Sequence, residues 1–445
     1  MDTKMIRNCF LILIILCFFA AGCNEKTPVM SDDVKILTLA VFVYESQLPS
    51  SRLLQWVNLY NENNSDIKIE IVNYYDNYQD PWEALNQIKI EIIAGKGPDM
   101  INFGSGWNYS PLDASSGMLV DLYPFLEDDI TFDENDFFYN ILKSFAIGES
   151  LYVLVPHFKI SSFATVNSDL SGMERMNIWQ LVDAYNKLDD KSILFPGETK
   201  KAVFALLCYR GLDNFVDWGE GICYFDSDSF KEILQFANNF PLTLNISDDY
   251  SAKAFFTEGR ALLFPVSIDS VYDTAKIRNL YGKTPNFIGY PFDSGNGNLA
   301  NIEDIVIGIS GVSKNKEEAW RFLRSLLDNE FQDNIRGGLP VRISSMEIKI
   351  AQAMKPEYDE NNEKIVRERL IFDGEDPINI YEISNEDAET LKLIIHKIES
   401  NATIDDILYS IIFEEADYLF NDNRNIDDVA AIIQNRAQIY VNENK

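Results

Sequence analysis

A chain of 445 residues with 38 basic side chains against 70 acidic ones carries a formal charge of −32 and shows no basic stripe, which excludes nucleic acid as its natural partner. Once an N-terminal leader is set aside, roughly 420 residues remain, more than a single core usually holds, so two domains are expected. No Cys/His metal spacing, no H-E-x-x-H and no nucleophile elbow is present, so the sequence gives no support to catalysis, and no cofactor is expected.

The chain opens with Lys4 and Arg7 before the apolar run CFLILIILCFFAAGC, which is short for a membrane span but suits a secretory signal. Ala20, Ala21 and Gly22 run directly into Cys23, a pattern that resembles the bacterial lipobox, in which the cysteine is lipidated and becomes the first mature residue. An ordinary signal cleaved near Ala21 is the alternative. Residues 1–22 are then the leader and 23–33 a polar tether, with palmitate among the acyl chains on Cys23, since stable anchoring needs more than one chain. Cys9 and Cys17 leave with the leader, so only Cys208 and Cys223 remain. An exported location permits a bridge between them, while the apolar run around Cys208 suits buried free thiols equally well. Asn-x-Ser/Thr matches at Asn63, Asn108, Asn245 and Asn401 are coincidences if the lipobox holds.

From Val34 the pattern is that of an α/β domain. VKILTLAVFV alternates as a strand, Leu53, Leu54, Val57 and Tyr60 share a helical face, and Ile67, Ile69 and Ile71 alternate with Lys68 and Glu70. Asp80 and Pro81 form an N-cap with proline in the first turn; Trp82, Leu85, Ile88 and Ile92 follow on one face, and Gly95 stops the helix. A strand from Met100 to Phe103 then delivers Gly104 to Trp107 to the rim of a parallel sheet, where ligands of open α/β sheets bind. The glycines and lysine before it are no phosphate loop, because the order is helix, turn, strand. Asp99 is expected to hold local backbone.

Farther on, the chain is richer in helices. Two extended runs flank Pro156 and His157, and helices are expected at Trp179–Leu188, Thr199–Tyr209 and Ser229–Asn239. A turn at Gly259 leads to a strand Ala261–Phe264. A glycine and asparagine loop precedes a strand Ile305–Ile309. The helix SKNKEEAWRFLRSLLDN is amphipathic, and the C-terminal third is helical. Trp82, Trp179 and Trp320 are expected in the core.

AGKGPDMINFG, FFTEGRALLF, GISGVSKNKEEAWRFLRSLL and the C-terminal IFEEADYLFNDNRNIDDVAAIIQNRAQIYVNE together resemble the extracellular solute-binding proteins of ABC importers, in their carbohydrate-binding, maltose-binding-protein-like branch. The resemblance covers nearly the whole chain past the leader. It implies an α/β fold of two lobes that close like a hinge on a ligand, with crossovers near Val155–Phe158, Ala300–Ile305 and Gly338–Val341. Lobe one is then 34–154 plus 305–337, and lobe two 155–304 plus 338–445. Its implied partners are a sugar or oligosaccharide and the subunits of an ABC permease. A binding protein for a peptide or polyamine, or a glycan-acting surface enzyme, are the alternatives.

A sugar site needs aromatic platforms beside carboxylates and amides. Candidates on the rim of lobe one are Tyr44 and Glu45 past the first strand and Trp107, Asn108 and Tyr109 past the third. His157 sits at the first crossover, Asp304 before the Ile305 strand, and Phe264, Asp269 and Tyr272 face the cleft from lobe two. For each there is a plainer alternative: a strand-end cap, a core aromatic or a structural histidine. Asp226/Asp228 and Asp248/Asp249 lack the remaining ligands of a calcium loop and are expected to be helix N-terminal acids.

Overall fold

The computed structural model describes residues 34–444 apart from 45, 47–50, 79, 105–109, 171, 174–175, 209–210, 245–250, 293–296, 403–404 and 423. Two sheets organise it. In the first, β1 (Lys35–Val41) lies between β2 (Ile67–Asn73) and β3 (Met100–Asn102), parallel to both. A fourth strand, β10 (Ile307–Ile309), closes the β3 side antiparallel, with Gly308 opposite Ile101. The helix between β1 and β2 spans Arg52–Asn63, capped by Ser51, and the helix between β2 and β3 spans Pro81–Ile93. Asp80 caps the latter by accepting the amides of Trp82 at 2.8 Å and Glu83 at 3.2 Å, and Gly95 at φ +69° turns the chain out of it.

The second sheet is built on the nine-residue β4 (His157–Thr165), which pairs antiparallel with everything beside it. β9 (Leu299–Ile302) and β11 (Leu339–Pro340) flank its first half, and β7 (Phe264–Ile268) and β8 (Asn286–Phe287) pair with its second. β14 (Ser400–Asn401) adds to β9. Two small hairpins stand apart: β5 (Val216–Asp217) with β6 (Ile222–Cys223), and β12 (Glu368–Leu370) with β13 (Ile378–Ile380). One buried cluster runs from Leu39 and Ile101 through Val155, Phe158, Ile305 and Leu339 to Ile268, so the core is continuous across the crossovers. A second fills the space between the helices Lys200–Cys208 and Asp228–Asn238 and the two C-terminal helices Asp406–Asp422 and Ile426–Asn444.

Several expectations change. Ala261–Leu263 is extended, but Leu262 and Leu263 donate to Ile193 and Leu194, and the strand that joins the sheet begins at Phe264. β9 occupies part of the stretch expected to be a loop, and the β12–β13 hairpin interrupts the helical C-terminal third. Trp320 is buried, whereas Trp82 and Trp179, each in the first turn of its helix, are 45% and 44% exposed. Cys208 and Cys223 are buried free thiols, and burial raises both pKa values, that of Cys223 to about 12. Asp99 holds more than its neighbours: Oδ2 accepts from the Thr38 amide at 2.9 Å, and Oδ1 from Ser313 Oγ at 2.6 Å.

Candidate functional site

Because β1, β2 and β3 are parallel, their carboxyl ends lie at one edge of the first sheet. β2 and β3 each end in an asparagine whose carboxamide fixes that edge. Asn73 accepts from the Val43 amide at 3.1 Å and donates to the Val43 carbonyl at 2.9 Å and to Asp76 at 2.8 Å. It thereby brings Tyr44, just past β1, against Tyr75, just past β2, with ring centroids 4.8 Å apart. Tyr44 is 55% exposed, so the pair presents an aromatic surface at the rim. Asn102 accepts from the Gly104 and Val306 amides at 3.2 and 2.9 Å and donates to the Asp304 carbonyl at 3.2 Å. Gly104 must be glycine there, since a Cβ would stand 2.0 Å from the Asp304 oxygen.

The second sheet turns its crossover end toward this rim. β4 starts at His157 and β9 ends at Ile302; antiparallel pairing of Ile160 with Ile268 puts the end of β7 there as well. The loop beyond β7 carries Asp269, which is exposed, and Tyr272. Asp273 shapes that loop by accepting the Asp269 and Ser270 amides at 2.9 and 2.8 Å, and the Tyr272 hydroxyl accepts from Arg367 Nε at 3.1 Å. Burial pushes the Asp273 carboxyl up, against the pull of Lys276 at 2.8 Å. Phe264 does not join this group. It opens β7 opposite Ala164, four residues and about 13 Å along the strand from Ile268, and packs edge-on to Phe256 at 4.7 Å.

His157 and Asp304 belong to the hinge and not to the rim surface. His157 is fully buried, with Nε2 3.0 Å from Asp304 Oδ1 but neither ring nitrogen in regular hydrogen-bond geometry. Arg52, the first residue of its helix, reaches the same Asp304 oxygen at 2.7 Å and the Gly337 carbonyl at 2.9 Å. Burial opposes ionisation of Asp304, yet the His157 ring and the Arg52 guanidinium hold its carboxyl down to about 2. Gly338, at φ +76°, lies where a Cβ would meet His157 Nδ1 at 2.9 Å. Gln332 completes the grip: its amide nitrogen donates to the Pro156 carbonyl at 2.8 Å, and its oxygen accepts from the Arg342 amide at 3.0 Å.

Of the sequence candidates, the structure therefore places Tyr44 at the carboxyl rim of the first sheet and Asp269 and Tyr272 just past β7 of the second, sends His157 and Asp304 to the crossovers and Phe264 elsewhere. Glu45, Trp107, Asn108, Tyr109 and Cys23 lie outside the described residues. Ser110, the residue after Tyr109, donates to Asp405 at 2.9 Å, which also accepts from Tyr440 at 2.9 Å. Sequence reasoning missed Tyr75, Asn73, Asn102, Arg52 and Gln332. An asparagine ending each of two apolar strands was the available signal for two of them. Among the described residues no His/Cys/Asp/Glu group has the geometry to hold a metal ion.

No curated protein matches the sequence. Solved structures of similar fold include an oligogalacturonide-binding protein from Yersinia enterocolitica, 12% identical, with a TM-score of 0.58, covering 92% of this chain and 100% of that one. The sugar-binding protein MalE of Xanthomonas citri is similar at 13% identity and a TM-score of 0.52, covering 92% and 98%. An extracellular solute-binding protein of family 1 from Alicyclobacillus acidocaldarius is similar at 12% identity and 0.53, covering 92% and 99%. At these identities the likeness establishes the fold, which is the two-lobe architecture of binding proteins. Residues 46–333 match the model of the bacterial extracellular solute-binding proteins, and the chain, with its two sheets, belongs to that family.

Proposed function

We propose that this protein captures a sugar or oligosaccharide between its lobes and delivers it to an ABC permease, without turning it over. The observation that carries the sugar assignment is the exposed Tyr44–Tyr75 surface at the carboxyl rim of the first sheet. Aromatic faces meet the C–H faces of a sugar, and nearby carboxylates and amides meet its hydroxyls. Two of the structures similar in fold are named for oligogalacturonide and sugar binding, which supports the same ligand class. The lobes divide as 34–154 plus 305–337 and 155–304 plus 338–445, and Glu45, Trp107, Asn108 and Tyr109 are further candidate ligand contacts of lobe one.

The lipobox at Cys23 supports an anchor on the outer face of the cell membrane; among the described residues no helix is long and apolar enough to cross it. Palmitate labelling that persists in Cys23→Ala would remove the anchor from this reading. The ligand is tested by thermal-shift screening against sugars and oligosaccharides, with Tyr44→Ala as control. A hit is expected to raise the melting temperature of the parent and much less that of the variant. No shift from any sugar, or release of reducing sugar from a polysaccharide, overturns it.

A further inference from the structure

One recess lies away from the rim, beside the helix Arg52–Asn63. The helix Arg52–Asn63 runs antiparallel to β1 and β2, so its Asn63 end sits at the edge remote from the crossovers. There it encloses, with the helix Lys316–Ser325 and the segment around Asp128, a cavity of about 630 Å³, within the range of small-molecule sites. Trp56, Tyr60, Phe125 and Trp320 supply aromatic walls, the last two with ring centroids 5.9 Å apart. Trp56 is fixed by its Nε1 donating to Ser325 Oγ at 3.1 Å. A smaller recess of about 210 Å³ shares Trp56 and Leu59 and continues along the same helix to Ile335.

The charges around this cavity do not balance. Arg324 is consumed by Asp129 at 2.9 Å and Asp328 at 2.8 Å, and Arg321 by Asp66 at 2.8 Å. Asp128, Glu317 and Glu330 also line the cavity, and among the described residues their carboxylates meet neither a cation nor a hydrogen-bond donor. Unpaired carboxylates beside the half-buried rings of Trp56 and Phe125 favour a positive charge carried on an apolar body. We infer that this cavity is a second binding site, separate from the cleft, for an organic cation such as a primary ammonium carried on an aromatic or alkyl group.

The full chain titrated calorimetrically with phenethylammonium, and with phenethyl alcohol as its neutral isostere, tests this. The ammonium is expected to bind and the alcohol to bind at least about tenfold more weakly, with affinity falling as salt is added. Asp128→Asn combined with Glu317→Gln replaces two exposed carboxylates, so the melting temperature should hold while ammonium affinity falls about tenfold. Tyr44→Ala should leave it unchanged. Equal binding of the alcohol, affinity that survives the double substitution, or no binding of the ammonium overturns the inference. None of these outcomes bears on sugar binding in the cleft.

Discussion

Asp304 Oδ1 is shared by Arg52 at 2.7 Å and His157 at 3.0 Å, so a single carboxylate joins residues from three distant parts of the chain. Folding lowers its pKa to about 2, below the unfolded carboxylate value of about 3.9. The stabilisation is therefore complete above that unfolded value and is lost as pH falls toward the folded one, a difference of roughly 2 to 3 kcal/mol. Asp304→Asn is expected to lower stability by about that amount at pH 7 in denaturant titrations, with the gap to the parent closing near pH 2. Tyr44 behaves oppositely. Its exposure predicts that Tyr44→Ala changes stability by less than about 1 kcal/mol while weakening sugar binding by roughly 1 to 2 kcal/mol, five- to thirtyfold, in calorimetry. Both Tyr44 and Asp304 were visible in the sequence as residues flanking strands. Arg52 was not, because a basic residue opening an amphipathic helix has the pattern of a solvated one, and the 252 residues separating it from Asp304 hide the contact. Tyr75 was hidden because a tyrosine in a turn past an apolar strand is indistinguishable from the many that pack inside.

Elements with strong local signals were legible; those defined by distant partners were not. The helix Pro81–Ile93 is announced by Asp80 and Pro81 and ended by Gly95, all acting within a few residues. Asp80→Ala should therefore cost about 1 kcal/mol, read as a lower melting temperature with unchanged ligand affinity. β9 had no such signal. Leu299–Ile302 is four residues long in an asparagine-rich stretch and is a strand only because β4 and β14 lie on either side. The misplacement of Phe264 has the same origin: ALLF is one apolar run, but its first part pairs with Ile193 and Leu194 and only its last residue joins the sheet. At the third crossover, Gly338→Ala places a Cβ against His157 in a left-handed backbone conformation. A loss on the order of 1 to 3 kcal/mol is expected, measured by denaturant unfolding.

On the scale of the molecule, the crossovers are tied by a set of bonds, Gln332 to Pro156 and Arg342 and Arg52 to Asp304 and Gly337. Saturation with the cleft ligand is expected to shrink the radius of gyration in small-angle scattering, because the second lobe adds its contacts only on closure. An unchanged scattering profile at saturation would count against a closing cleft. The two-lobe plan was legible from the order of motifs along the chain, while the mixed, largely antiparallel second sheet was not, since its strands are short and their pairing is non-local.

β10 joins β3 long after β3 has been made: Val306 donates to Asn102 across 204 residues of sequence. A nascent chain that has emerged only as far as β9 holds β1, β2 and β3 with an open edge and an uncovered Phe103, whose amide waits for the Val306 carbonyl. The first sheet is thus begun by strands early in the sequence and completed only by one that follows much later. An edge that waits for so distant a partner is open to mispairing until that strand arrives.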